Sequence, residues 1–165
     1  MNDDDFMRRA IALSEQALAN DGLRPFGAVV VRDGTIVGEG VNATYLDHDP
    51  TAHGEIVAIR AACATLQTAS LKGCTIYTSC EPCSMCTAAI LAADLDAVVY
   101  GAALGETAEI YARRPDTPRA LPLDSMVLRT EVSRPIEARL QPSRRALPAE
   151  ALAVIDAYSR ARTGA

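Results

Sequence analysis

Two short motifs constrain this chain more than any other feature: His53-Gly54-Glu55 and Pro82-Cys83-Ser84-Met85-Cys86. Histidine, paired cysteines and an acidic residue in such clusters point to metal binding and proton transfer. Cys83 and Cys86 stand three apart where a helical run begins, so both sulfurs share one face and can reach one ion. Pro82 ends the extended segment before them and suits a first helical turn. A helix N-terminus also favours the thiolate, which is the form that binds metal. His53 lies near the start of an earlier helix, thirty residues before Cys83. If the two helix starts flank neighbouring strand ends, one histidine and two cysteines converge.

Three soft-to-borderline ligands suit Zn2+, and three rather than four leave a position for water. Glu55 would hang beside that position and move a proton without binding the metal. The other thiols are Cys63, Cys74 and Cys80. Cys80 extends the pattern to Cys80-x-x-Cys83-x-x-Cys86, which hints at an iron–sulfur cluster but needs a fourth ligand. Cys63 and Cys74 fall on the core sides of a helix and a strand, and Cys80 reads as a buried filler or a neighbour of the ligands. Glu81 reads as a turn residue whose carboxylate caps or supports them. His48 reads as a loop residue, and Arg139, Arg144 and Arg145 as a solvated face.

The surrounding pattern says how the motifs are carried. A helix is predicted over 5–20, with Phe6, Ala10, Leu13 and Ala17 on one side and Gly22 as its stop. Ala28–Val31 and Thr35–Val37 flank Asp33-Gly34, a strong hairpin signal. A second helix is predicted from about Ala52, with Thr51 as N-cap. Strands follow at Thr75–Thr78 and Ala97–Gly101, with an Ala-rich helix from Cys83 to about Asp94 between them. Met126–Arg129 could be a fifth strand or a helix turn. Residues 102–124 read as a loop or a short helix within a loop, 133–147 as a linker, and Pro148 to about Arg162 as a terminal helix. Alternating strands and helices imply crossover connections with some parallel pairing, and the hairpin adds an antiparallel edge. The expected fold is α/β: a three-layer α/β/α sandwich with a mixed five-stranded sheet, in one domain of 165 residues.

Composition narrows the partners. Acids outnumber bases 21 to 16, a formal net charge of −5, which repels phosphate backbones and makes a nucleic-acid surface improbable. Two Phe, five Tyr and no Trp supply few stacking platforms for single strands. The start, Met1-Asn2-Asp3-Asp4-Asp5, has neither the basic nor the apolar region of a secretory signal, and no apolar run reaches the ~20 residues of a membrane span. A cytoplasmic protein without a membrane partner is expected. Phe26, between Pro25 and Gly27, is either core or a face of a substrate pocket. Asn42, closing the second strand, is a turn residue by default, and its amide could also hydrogen-bond a substrate.

At these motifs the chain resembles the cytidine deaminase superfamily, whose signature is H-x-E followed by P-C-x-x-C. Within it, Pro25–Val29, Asn42, Asp49–Ile56, Tyr77–Cys86, Asp124–Met126, Glu131–Pro135 and Arg139 look most like the bacterial guanine deaminases. The resemblance implies zinc on His53, Cys83 and Cys86, with Glu55 as the proton shuttle. It implies that Asn42 and the backbone at Gly54 contact the base, that Phe26 stacks on it and that Asp124 holds its edge. It also implies a homodimer in which the C-terminal helical segment 141–165 crosses to the partner, with Tyr158 as a lid aromatic. The implied reaction is hydrolytic removal of an amino group from a free base: guanine, a related aminopurine, a cytosine-like ring or an amino-triazine. A tRNA adenosine deaminase and a non-catalytic zinc-bearing module are the rival readings. Two departures bear on substrate choice: Gly54 stands where the family usually has Ala, and the loop at 102–123 is longer than usual.

Overall fold

The computed structural model describes residues 2–113 and 125–163. Two compact units are present, residues 1–125 and 126–165. The first unit contains the sheet. Helix α1 spans Asp3–Glu15 and is closed by a capping box in which the Asn2 side chain accepts from the Asp5 N–H while the Asp5 carboxylate accepts from the Asn2 N–H, both at 3.0 Å. A 3-10 turn at Gln16–Leu18 ends the predicted first helix. Strands β1 (Arg24–Arg32) and β2 (Thr35–Asn42) form the expected hairpin. Asp33 and Gly34 take φ of 49° and 72°, the two left-handed residues a tight hairpin turn requires.

Helix α2 spans Gly54–Leu66, β3 Cys74–Cys80, α3 Ser84–Ala92, β4 Ala97–Ala102 and α4 Leu104–Ala112. The strand order is β2-β1-β3-β4, antiparallel except for the parallel pair β3–β4. The central strand β1 is buried on both faces, as its unbroken Ala28-Val29-Val30-Val31 run suggests. Alternation sends Ala28 and Val30 to a core with Ala58, Ile59, Ala62 and Ile90 of α2 and α3. Val29, Val31 and Tyr77 face Phe6 and Leu13 of α1. The three layers are therefore present.

The sheet has four strands among the described residues, not five. Met126–Arg129 lies inside α5, Ser125–Ser133. Its apolar run is only Met-Val-Leu, and Leu, Arg, Met and Glu131 are good helix formers, so no β signal outweighs them. The second helix begins at Gly54 rather than Ala52, and His53 is its N-cap. Thr51 is not free to cap, because its N–H and hydroxyl both donate to the Asp49 carboxylate at 2.8 and 2.7 Å. In the second unit, α5 is followed by a 3-10 turn at Ile136–Ala138 and by α6, Pro148–Thr163. The Glu131 carboxylate organises this unit, accepting from the Leu140 N–H and the Arg134 guanidinium, each at 2.6 Å.

Helix α2 sits directly on the β2 backbone. A Cβ at Gly40 would lie 2.3 Å from the Gly54 carbonyl oxygen and 2.5 Å from the Ala58 nitrogen. One at Gly38 would lie 2.4 Å from the Ala58 oxygen. Backbone atoms cannot step aside as a flexible side chain can, so Gly40→Ala is expected to destabilise by about 2–3 kcal/mol through overpacking. Gly105 in α4 has nothing within 4 Å of an added Cβ, so Gly105→Ala is expected to hold or raise stability by up to about 1 kcal/mol. Thermal unfolding of the two variants checks this; a Gly40→Ala protein as stable as wild type contradicts the packing.

Candidate active site

The two helix starts meet. His53 and Cys83 are the N-cap residues of α2 and α3, and Cys86 lies on the first turn of α3. The Cys83 and Cys86 sulfurs are 3.6 Å apart, and they lie 3.6 and 3.5 Å from His53 Nδ1. A tetrahedral zinc with Zn–S of about 2.3 Å and Zn–N of about 2.0–2.1 Å needs S···S near 3.8 Å and S···N near 3.6 Å. The donor set and its spacing therefore fit zinc. With Nδ1 turned to the sulfurs, the proton of a neutral imidazole resides on Nε2, which is buried without a partner.

The electrostatics suit a cation. Cys83 is drawn down to about 4, first by its contact with the Cys86 sulfur, against its burial, and with help from His53. Cys86 moves the opposite way, through the same contact with Cys83 and through its burial. Burial opposes protonation of His53, yet the bond to Cys83 and the nearby Glu55 raise its pKa overall. Glu55, the second residue of α2, is 6% exposed, and burial raises its pKa above the usual carboxylate range. A carboxyl raised in this way is suited to take up a proton and return it.

The remaining predicted residues divide. Asn42 is buried, and its Oδ1 accepts from the Thr44 N–H at 3.2 Å and the Thr44 hydroxyl at 2.7 Å. That fixes which end of the amide is acceptor and leaves its NH2 as the end free to address a ligand. Phe26 is half-buried, and its carbonyl oxygen would lie 2.6 Å from a Cβ on Gly54. Position 54 therefore faces the β1 backbone, and glycine there permits the contact. Glu81 caps α4, accepting from the Leu104 N–H at 3.0 Å. The Cys80 sulfur meets the Thr107 hydroxyl at 3.3 Å and stays outside the ligand trio. Tyr158 lies on α6 and is 63% exposed. Asp124 falls outside the described residues. Sequence reasoning missed Thr44, although Asn-x-Thr after a strand is a recognisable turn pattern. It also missed Ser79, whose hydroxyl accepts from the Gly27 N–H at 3.0 Å and steadies the strand beside Phe26.

A His-Cys-Cys trio that fits zinc, with a buried carboxyl beside it at the mouths of two helices, defines the zinc-dependent hydrolytic deaminases. Comparison with known proteins gives the family. Residues 1–102 match the cytidine and deoxycytidylate deaminase zinc-binding region. Guanine deaminase from Bacillus subtilis is 41% identical over 143 residues, 86% of this chain and 84% of that protein. A tRNA-specific adenosine deaminase from Haemophilus influenzae is 41% identical over 112 residues, 67% of this chain and 64% of that one. The crystal structure of the Bacillus subtilis guanine deaminase superposes with a TM-score of 0.84 at 37% identity, covering 97% of this chain and 95% of that chain. A guanine deaminase from Nitrosomonas europaea superposes with a TM-score of 0.61 at 28% identity, covering 76% of this chain and 70% of that chain. The chain belongs to the cytidine and deoxycytidylate deaminase family, and its enzyme class is zinc-dependent hydrolytic deaminase.

Proposed function

We propose that this chain hydrolyses the amino group of a free aminopurine, guanine before others, to the corresponding oxo ring and ammonia. The buried Glu55 carboxyl beside the His53, Cys83 and Cys86 trio is the observation that carries this reading. The resemblance to guanine deaminases over most of the chain selects the ring. Zinc, held by His53 Nδ1 and the Cys83 and Cys86 sulfurs, would make water a nucleophile near neutral pH. Glu55 accepts the proton of the attacking water as the new C–O bond forms at the ring carbon bearing the amine. It returns that proton to the adjacent ring nitrogen. It then carries the proton of the new hydroxyl to the amine as the C–N bond breaks, so water and ring amine become ring carbonyl and ammonia. The Asn42 amide donates to an acceptor of the base, the backbone at Gly54 provides a further contact, and Phe26 stacks on the ring. In this reading Asp124 holds the edge of the base, and Tyr158 is the lid aromatic of a segment that crosses to a partner copy.

Against a tRNA substrate stands the formal net charge of −5. Against a non-catalytic zinc module stands Glu55, a buried carboxyl that structural zinc sites do not need. Glu55→Gln is expected to retain zinc and lose about 100- to 10,000-fold in ammonia release from guanine. A Glu55→Gln protein as active as wild type contradicts the mechanism, and release from a tRNA anticodon stem-loop but not from free bases contradicts the substrate.

Helix α6 supports a second proposal, that two copies associate and segment 141–165 serves the partner. Leu152, Val154, Ile155 and Tyr158 are 55–72% exposed, an apolar display that a solvated helix has no use for. Analytical ultracentrifugation is expected to give a dimer for the full chain and a monomer after deletion of 141–165. A monomeric full chain contradicts it.

A further inference from the structure

His53 opens α2 as its N-cap, but its side chain makes no capping bond, because the ring is turned to the two sulfurs. A metal-bound histidine usually takes its orientation from a hydrogen bond at its other ring nitrogen. Nε2 of His53 has no such partner among the described residues, which leaves the backbone to set the ring. That backbone hangs from Asp49, a residue the chemistry above does not use. Asp49 Oδ1 accepts from the Thr51 N–H at 2.8 Å and from the Thr51 hydroxyl at 2.7 Å. The Asp49 carbonyl accepts from the Ala52 N–H at 3.0 Å, and the Thr51 carbonyl accepts from the His53 N–H at 2.7 Å. Every N–H from Thr51 to His53 is thus committed inside the loop, and Pro50 has none to lose.

Arg60 refers this loop to the helix. It lies seven residues after His53, about two turns on along the same stripe of α2. Its guanidinium reaches back and forks, Nη1 donating to Asp49 Oδ2 at 3.2 Å and Nη2 to the Thr51 hydroxyl oxygen at 3.3 Å. A planar fork fixes direction as well as distance. On the inner side Ala52 is buried against Leu23 and Ala43. Its carbonyl accepts from the Ala43 N–H at 2.9 Å, one residue past Asn42. The chain entering His53 is therefore tied to the end of β2 on one side and to the body of α2 on the other.

We propose that Asp49 is a positioning residue for the ligand His53: through Thr51 and Arg60 it fixes how the chain enters α2, and with it the reach of Nδ1 to the Cys83 and Cys86 sulfurs. The assignment rests on the zinc reading of that trio and deepens it. As a brace the bracket is weak, since the Arg60 and Asp49 side chains are 60% and 34% exposed and ion pairs of that kind add little stability. Its effect is on direction, which zinc affinity reads and thermal stability does not.

The test is zinc affinity by chelator competition on the full chain, below its unfolding temperature, for wild type, Asp49→Ala, Asp49→Asn and Arg9→Met. Arg9 of α1 forks onto Glu39 at 2.7 and 2.6 Å. Glu39 stands between Gly38 and Gly40, which face α2, so this pair lies on the opposite face of β2 and serves as the control. Asp49→Ala is expected to weaken zinc binding about 10- to 100-fold and to alter the visible spectrum of the cobalt(II)-loaded protein, which reports ligand geometry. Asp49→Asn keeps an acceptor for Thr51 and is expected to recover most of that loss. Arg9→Met should lower thermal stability while its zinc affinity stays within about threefold of wild type. If Asp49→Ala does not fold, Thr51→Val, which keeps the shape and the backbone bond but loses the hydroxyl, should weaken zinc about fivefold. Wild-type zinc affinity in Asp49→Ala overturns the proposal. So does an equal loss in Arg9→Met, the mark of general destabilisation, or an Asp49→Asn protein no better than Asp49→Ala. A wild-type chain that takes up no zinc fails the underlying reading instead, and that is seen before any variant is measured.

Discussion

The contact of α2 with the bare backbone of β2 governs the rest of the structure. Gly38 and Gly40 remove two side chains from β2, and the helix settles until carbonyl and amide atoms of α2 occupy their space. Depth here is geometry for the site. It sets the height of Gly54 against the Phe26 carbonyl, and with it the positions of His53 and Glu55 at the helix mouth. A shift of an ångström at such a point spreads directly into ligand spacing, and sites of this kind tolerate little looseness.

The second helix mouth arrives by a different route. β3 is tied antiparallel to β1 and parallel to β4, and it delivers Cys80-Glu81-Pro82 to the start of α3. Two helix N-termini then point at one place. Their partial positive charges favour thiolate at Cys83, which its contacts with Cys86 and His53 draw down to about 4. The same enclosed setting raises the Glu55 carboxyl. One enclosed setting therefore lowers a sulfur and raises a carboxyl on residues two elements apart. Opposite shifts in neighbouring titratable groups are how an acid–base site is recognised.

The ligand trio, the hairpin, the three layers and Glu55 could all be read from residue spacing, because each is encoded locally. The features that could not be read depend on competition between distant or unmotivated partners. Thr51 is a fair cap by type, but Asp49 takes its hydroxyl and the cap passes to His53. The short run at Met126–Arg129 has no periodicity to exploit, and it is helical. Glu81 was expected to cap or support, and only the fold shows that its target is the first amide of α4. Gly54 looked like room beside a ring, whereas its missing Cβ admits the Phe26 carbonyl.

The central claim is that two cysteine sulfurs and one imidazole nitrogen, already at tetrahedral spacing, hold the zinc and leave a place for water. Zinc K-edge X-ray absorption of the zinc-loaded full chain measures that directly. The account predicts two sulfurs at about 2.3 Å and a nitrogen or oxygen shell at about 2.0–2.1 Å. Four sulfurs around the metal, or none, would contradict it.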